Sequence, residues 1–373
     1  MNYEMLHKDW KTLHQMPEEA FRERNTSAYI RDRMKAAGFQ VSPVADTGLL
    51  CCLKGPQPGP AVALRADLDA LLLTDDKGKK VLDHACGHDA HCAMVMAAAS
   101  AIAAEGLPRG TLLALFQPAE ETLRGAQAVI TEGLPAIDGM FGIHLRPANE
   151  MQPGLATPAL HHCAAIHLDL CFYGKAAHGA RPHLGINAIS AAAKTIAAVD
   201  ELKLDTAESW SAKATIIDSG GNLQNVVPDF CSVTFDLRAQ SNRLAEQLEQ
   251  IVRETGAKAA NAIGAKLEIR RRARAYAPKF DKRLVEISAQ AIQDVLGEAQ
   301  PPMPTLGSED FHSYSVCADI PSAYIGIGAD VRPGLHVLGM TFDHRYLEAG
   351  AEILRRCALM ALEKLPCKHV DLQ

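Results

Sequence analysis

The sequence predicts an α/β protein: a mostly parallel sheet with helices on both faces, carrying an inserted α+β domain. Three observations predict it. Apolar runs of strand length alternate with helical patterns on both sides of the chain's middle. The middle itself reads strand, helix, strand, strand, helix, strand. Acid, thiol and imidazole side chains recur where the apolar runs end, as expected at the carboxyl ends of parallel strands.

The elements follow in order. Trp10 to Ala37 has helical apolar spacing with Gly38 as its cap, and Pro60 to Arg65 reads as a buried strand. Asp89 to Ala104 is a helix, and Gly110 to Phe116 is a buried strand running into Gln117-Pro118-Ala119-Glu120-Glu121. A helix over Gly125 to Glu132 leads to a strand over Ala136 to His144. In the middle, Ala165 to Tyr173 alternates, with Ile166, Leu168, Leu170 and Phe172 on one side. Ile186 to Leu202 is a helix, Lys213 to Ser219 and Phe230 to Arg238 are strands, Ala245 to Gly264 is a helix and Lys266 to Arg272 a strand. That order predicts a four-stranded antiparallel sheet with two helices on one face. Arg283 to Val295 is helical, Ser322 to Gly328 is a short strand, and Leu347 to Leu365 is a last helix. The boundaries are residues 1–164 for the first part of the main domain, 165–275 for the insertion and 276–373 for the second part.

Composition limits the partners. With 373 residues, 48% hydrophobic and 22% charged, the chain can bury a core large enough for two domains. A formal charge of −6 and a single basic cluster, Arg270, Arg271, Arg272 and Arg274, argue against nucleic acid. The start, Met1-Asn2-Tyr3-Glu4, lacks a charged-then-apolar signal pattern, and no apolar run is long enough for a bilayer, so the expectation is a cytoplasmic protein without a membrane partner. Ten irregularly spaced cysteines then read as reduced thiols.

The chemistry concentrates in His84-Ala85-Cys86-Gly87-His88-Asp89-Ala90-His91. Thiolate and imidazole are the preferred ligands of zinc and its neighbours, and Gly87 allows a turn on which Cys86 and His88 face one ion. The competing reading is a histidine-rich loop with no ligand. Glu120 and Glu121 close one apolar run, His144 closes another, and His336 follows Gly334-Leu335. Taken singly, an acidic pair is a common solvated helix start and His144 a satisfied strand-end histidine. Together with Cys86 and His88, they are enough to fill two metal sites. Asp67 and Asp69 follow a buried strand and suit the role of carboxylates behind metal-bound imidazoles.

Leu64-Arg65-Ala66-Asp67, the octet, Phe116-Gln117-Pro118-Ala119-Glu120-Glu121, Gly142-Ile143-His144 and Gly307-Ser308-Glu309-Asp310-Phe311 resemble a group of dinuclear metallopeptidases: the aminoacylases, hippurate hydrolases and auxin-conjugate hydrolases. The resemblance spans nearly the whole chain. Its bacterial amidohydrolase branch is nearest in His144-Leu145-Arg146-Pro147, Ala177-His178-Gly179 and Asp236-Leu237-Arg238. The resemblance implies hydrolysis of an amide joining an acyl group to an amino acid or similar amine, with a catalytic domain and an inserted lid of the kind that dimerises. It implies Cys86, His88, Glu121, His144 and His336 as ligands of two divalent ions per chain (Zn, Mn, Co or Ni), with Glu120 as general base. His344, eight residues beyond His336, competes for the last place.

In the insertion, the resemblance gives His178 a catalytic role and Asn225 a substrate contact, with His183 and Arg238 as further substrate-binding candidates. Asn225 also reads as a turn residue and Arg238 as a surface strand charge. A homodimer through the insertion is a further implication. Two other classes compete. A zinc deaminase needs a Pro-Cys-x-x-Cys ligand pair, which this chain lacks. A non-catalytic binding protein on the same fold predicts a missing ligand or base, and all six positions are filled. An exopeptidase acting on dipeptides is the alternative closest to amide hydrolysis.

Overall fold

The computed structural model describes residues 1–221 and 223–367. It divides into two compact units: Met1–His161, Pro278–Thr305 and Asp310–Gln373 in one, His162–Ala277 and Leu306–Glu309 in the other. The short stretch Leu306–Glu309, which the sequence alone leaves within 276–373, joins the second unit through its own polar contacts. The Cys163 N–H donates to Gly307 O at 2.9 Å and Arg238 Nη1 to Ser308 Oγ at 3.0 Å.

The first unit is built on a seven-stranded sheet. Across it the order is Gln40–Val44, Gly48–Lys54, Thr111–Gln117, Ala61–Asp67, Gly139–Pro147, Ser322–Val331, Ala156–Thr157. The four strands from Thr111–Gln117 to Ser322–Val331 pair in parallel, and the outer pairings are antiparallel. Alternation explains why both faces are covered. Leu112, Ala114 and Phe116 enter one apolar core, while Leu113 and Leu115 of the same strand enter another. Between sheet and neighbouring helices lies His88–Glu105, an alanine-rich helix buried along nearly its whole length. Alanine favours the helix and keeps it thin enough to be packed on all sides.

The single helical pattern over Trp10 to Ala37 is two helices, Tyr3–His14 and Arg24–Ala36. Pro17 lies in the break: it lacks an N–H and disfavours helix at Met16. The Glu18 carboxylate then accepts the N–H groups of Asn25 and Thr26 at 3.1 and 2.9 Å.

The second unit has a four-stranded antiparallel sheet in the order Trp210–Asp218, Phe230–Ala239, Ala164–Tyr173, Lys266–Ala275. Ile166, Leu168, Leu170 and Phe172 meet Val233, Phe235 and Leu237 and the helices Ala188–Asp200 and Asn242–Ile263 in one core. Both helices are capped by side chains, Asn187 accepting from the Ser190 N–H and Ser241 from the Leu244 N–H. No helix among the described residues is long and apolar enough to cross a membrane.

Candidate metal centre

Four segments of the first unit come together at the candidate centre: Cys86–His88, Glu120–Glu121, His144 within Gly139–Pro147, and His336. Gly87, at φ +82°, turns the chain between Cys86 and His88 and starts the buried helix. Cys86 Sγ lies 3.4 Å from His144 Nε2. His88 donates from Nδ1 to the Asp69 carbonyl at 2.8 Å, and His144 from Nδ1 to the Leu145 carbonyl at 2.6 Å. Those bonds place a proton on Nδ1 of each ring, so that in the neutral form Nε2 carries the lone pair. His88 Nε2 is buried and among the described residues has no hydrogen-bond partner, an orphan that a cation would satisfy. His144, expected at a strand end, sits inside Gly139–Pro147, which runs on to Pro147.

The octet's other imidazoles do different work. His91 is fully buried and its Nε2 accepts the Leu145 N–H at 3.1 Å. Burial, and then the charges of His144, His88, Arg65 and Arg146, hold its pKa well below the usual histidine range. His84 is buried, which lowers its pKa, and its ring stacks on His14.

Glu120 and Glu121 lie on a short 3-10 turn, Glu120–Thr122, bracketed by Ala119 and Leu123 at φ +58° and +55°. Left-handed backbone at two non-glycine residues is strained and needs support. Asp69 gives it: Oδ1 accepts the Glu120 N–H and Oδ2 the Glu121 N–H, each at 3.0 Å. Gly125 closes the turn where a Cβ would come within 1.7 Å of the Pro118 carbonyl oxygen. Glu120 and Glu121 then approach His88 Nε2 at 3.8 and 3.9 Å, and Glu121 Oε2 lies 3.4 Å from His336 Nε2. His336, exposed and at φ +61°, is anchored by its N–H to the Ala85 carbonyl at 2.8 Å. Its rival His344 packs on Trp10 and Phe342 instead.

Three donor groups meet here, each with its donor atoms within 4.8 Å of one another: Cys86 with His88 and His144, Cys86 with Glu121 and His336, and His88 with Glu120 and Glu121; the first two contain Cys86. A thiolate, imidazoles and a carboxylate in this number suit zinc-like divalent ions, and the local charge agrees. Burial pushes the His88 pKa down, but the Cys86 thiolate, Asp69 and Asp67 outweigh it and raise it well above the usual value, a mark of negative potential.

Asp67 and Asp69 do not act alike. For Asp69 it is the carbonyl that takes His88 Nδ1, its carboxylate being 3.4 Å away and committed to the Glu120 and Glu121 amides. Asp67 falls within reach of His88 and His91 and pairs with Arg65 at 2.5 Å. Arg65, fully buried, also binds Gln117 and Asp310, at 2.8 Å each. Sequence reasoning quoted these residues but missed the network. Its signal is a charged and an amide residue, Arg65 and Gln117, inside two otherwise apolar strands.

His178, Asn225, His183 and Arg238 belong to the second unit. Ala177–His178 pairs with Val226–Val227, and the Gly179 N–H donates to the Asn225 carbonyl at 2.7 Å, so His178 and Asn225 come together. His178 Nδ1 accepts the Ala180 N–H at 3.1 Å, which leaves the neutral ring's proton on the exposed Nε2. His183 is exposed in the 3-10 turn Pro182–Leu184. Arg238 binds Asp236 through Nε at 3.1 Å and Ser308 through Nη1, beside a cavity of about 420 Å³ lined by Trp210, Lys213 and Leu306.

The sequence profile of peptidase family M20/M25/M40 matches residues 63–360. The chain belongs to that family. It is thus an M20 hydrolase of amide or peptide bonds. The N-acetyl-L-cysteine deacetylase of Bacillus subtilis (strain 168) is 29% identical, over 94% of this chain and 86% of its own length. A solved structure from methicillin-resistant Staphylococcus aureus is similar over 96% of both chains, with a TM-score of 0.83 at 26% identity. A Bacillus subtilis structure described as a dinuclear metal binding M20 peptidase, 24% identical, covers 96% of this chain and 98% of its own with a TM-score of 0.77, which shows the shared fold.

Proposed function

We propose that the chain is an amidohydrolase splitting N-acyl amino acids or related amide conjugates, with two divalent ions held by Cys86, His88, Glu121, His144 and His336. The observation that carries this reading is the sharing of Cys86 between two donor groups, one completed by His88 and His144, the other by Glu121 and His336. When bound, such ions would lower the pKa of the attacking water and polarise the scissile carbonyl. Glu120, buried beside the ligands but belonging to neither Cys86 group, takes the water's proton on its carboxylate and returns it to the leaving amine. His178 donates from Nε2 to the developing oxyanion. Asn225, Arg238 and His183 engage the substrate's polar ends, and Asp67 and Asp69 hold the ligands from behind. A homodimer through the second unit fits its edge strand Trp210–Asp218, where Ile216 and Ile217 are 57% and 54% exposed; sedimentation of the full chain as a monomer at micromolar concentration would remove it.

Resemblance to a deacetylase favours simple acyl groups, and the family's peptidases support a dipeptide-cleaving exopeptidase as the second reading. A hydrolysis screen of N-acyl amino acids against dipeptides, with Zn, Mn, Co or Ni added back, separates the two. Glu120→Gln should keep about two ions per chain by elemental analysis and lose on the order of a hundredfold or more in turnover. Near-normal turnover would take the base away from Glu120, and a ratio at or below one ion in excess metal would remove the dinuclear mechanism. Ion affinity should fall as the solution is acidified, because Cys86 binds as thiolate.

A further inference from the structure

The Glu120–Glu121 turn has a second support, from a part of the chain that precedes the matched 63–360. Glu23 is fully buried, a position that a carboxylate takes only when hydrogen bonds satisfy it. Its carboxylate accepts three hydrogen bonds: Oε1 accepts the N–H groups of Ala119 at 2.9 Å and Phe21 at 3.0 Å, and Oε2 accepts the Thr47 hydroxyl at 2.5 Å. Thr47 is itself 3% exposed. Ala119 is the residue at φ +58° immediately before Glu120, so its N–H has no helical or strand partner to hold it. Three successive amides, of Ala119, Glu120 and Glu121, are thereby gripped by two buried carboxylates, Glu23 and Asp69. The segment bearing Glu23 is fixed in turn: the Glu18 carbonyl accepts the Ala70 N–H at 2.8 Å, beside Asp69, and Thr26 Oγ donates to the Met16 carbonyl at 3.1 Å.

We infer that Glu23 is a positioning residue for the reaction: through the Ala119 amide it sets the left-handed turn that aims Glu120 at the water and Glu121 at its ion. The inference rests on the roles given above to Glu120 and Glu121. Asp69 alone fixes the two amides within the turn, but not the angle at which the chain enters it. Releasing Ala119 lets its φ relax toward the favoured negative region and swings both carboxylates together, and a displacement of about 1 Å at a reacting group can cost on the order of a hundredfold in rate. Burial pushes the Glu23 pKa up, with the Thr47 hydrogen bond opposing it, as expected of a carboxylate kept for its geometry and not for solvation.

The geometry distinguishes two substitutions. Glu23→Gln keeps an amide oxygen for the two N–H groups on one side and turns its NH2 toward Thr47, whose hydroxyl rotates to accept. Glu23→Ala removes both acceptors. The expected result is that Glu23→Gln stays within about threefold of wild type in kcat, while Glu23→Ala loses about tenfold or more in kcat with KM changed far less. Chelator titration of the purified proteins should show one of the two ions bound about tenfold or more weakly in Glu23→Ala and the other unchanged, since Glu121 serves one Cys86 group only. A merely structural role would lower the melting temperature and leave kcat and both affinities of the folded protein at wild-type values, and that result overturns the inference. Should Glu23→Ala fail to fold, Thr47→Val, which removes only the donor to Oε2, should weaken the same ion and lower kcat by a smaller factor; unchanged values there overturn it equally. Glu120→Gln and Glu121→Gln run in parallel separate the two levels: if neither affects turnover or ion binding, the roles of the pair fail, whereas if both do and Glu23→Ala does not, only the role of Glu23 fails.

Discussion

Glu120 and Glu121 share one turn, and what separates the tasks proposed for them is where each carboxylate goes once the backbone is fixed. Asp69 decides that, because its two oxygens each take one amide of the pair. Asp69→Asn places an NH2 donor against one of those N–H groups, leaving a buried donor facing a donor, at a cost of about 1–3 kcal/mol. Thermal unfolding should register that loss, and kcat and ion affinity should fall together; retention of all three would show that the turn holds itself. Residue identity explains what could be read in advance. Cys86, His88 and Glu121 have side chains whose chemistry limits their uses, and Gly87 announces the turn between the first two. Asp69 was legible as a supporting residue but not in its manner of support, since no spacing tells whether an aspartate will offer a neighbouring imidazole its carboxylate or its carbonyl. Glu23 had still less signal: its partner Ala119 lies 96 positions away, and an acid in a polar N-terminal stretch looks like any solvated one.

Elements were legible where one pattern ran long enough. The alternation of Phe230–Ala239, buried at every second residue, and the nearly continuous burial of Ala164–Tyr173 and of the alanine-rich His88–Glu105 each impose one pattern over ten residues or more. The hairpins Gln40–Val44 with Gly48–Lys54 and Leu71–Thr74 with Lys80–Asp83 carry no such signal: three of these strands are short and largely unburied, and Gly48–Lys54, though mostly buried, does not alternate cleanly. Helix-to-strand packing in the second unit also has an ionic brace. Glu249, 4% exposed on Asn242–Ile263, binds Arg271 of Lys266–Ala275 at 2.6 Å and Arg253 at 2.7 Å. Burial raises its pKa, but the hydrogen bonds and charges of Arg271 and Arg253 outweigh that and hold it below 4.5. A carboxylate depressed in the folded state adds stability that is present above its unfolded pKa and is lost as pH falls through the folded one. Glu249→Gln should therefore lower the melting temperature at pH 7 and lose that effect progressively below pH 4.5. A pH-independent difference between the two proteins would assign the brace to packing alone.

At the scale of the whole molecule, the chain keeps its ligand-type residues in one unit and several polar candidates in the other. A donor that engages only the transition state lowers the barrier without tightening ground-state binding, and that is the role proposed above for His178. His178 has the form for that role. Its Nδ1 is occupied by the Ala180 amide, its Nε2 carries the proton, and the ring stands exposed on a short ladder with Val226, next to Asn225. A surface histidine with no catalytic task would tolerate alanine with little change, because the ladder's hydrogen bonds are made by the backbone. His178→Ala should instead lower kcat by about a hundredfold, the usual order for a lost oxyanion donor, while KM moves little. Ion content should stay at the wild-type ratio, since none of the five proposed ligands lies in the second unit. Measured together, the two quantities decide the role: wild-type kcat would leave His178 a surface residue, and a lost ion would move it into the ligand set.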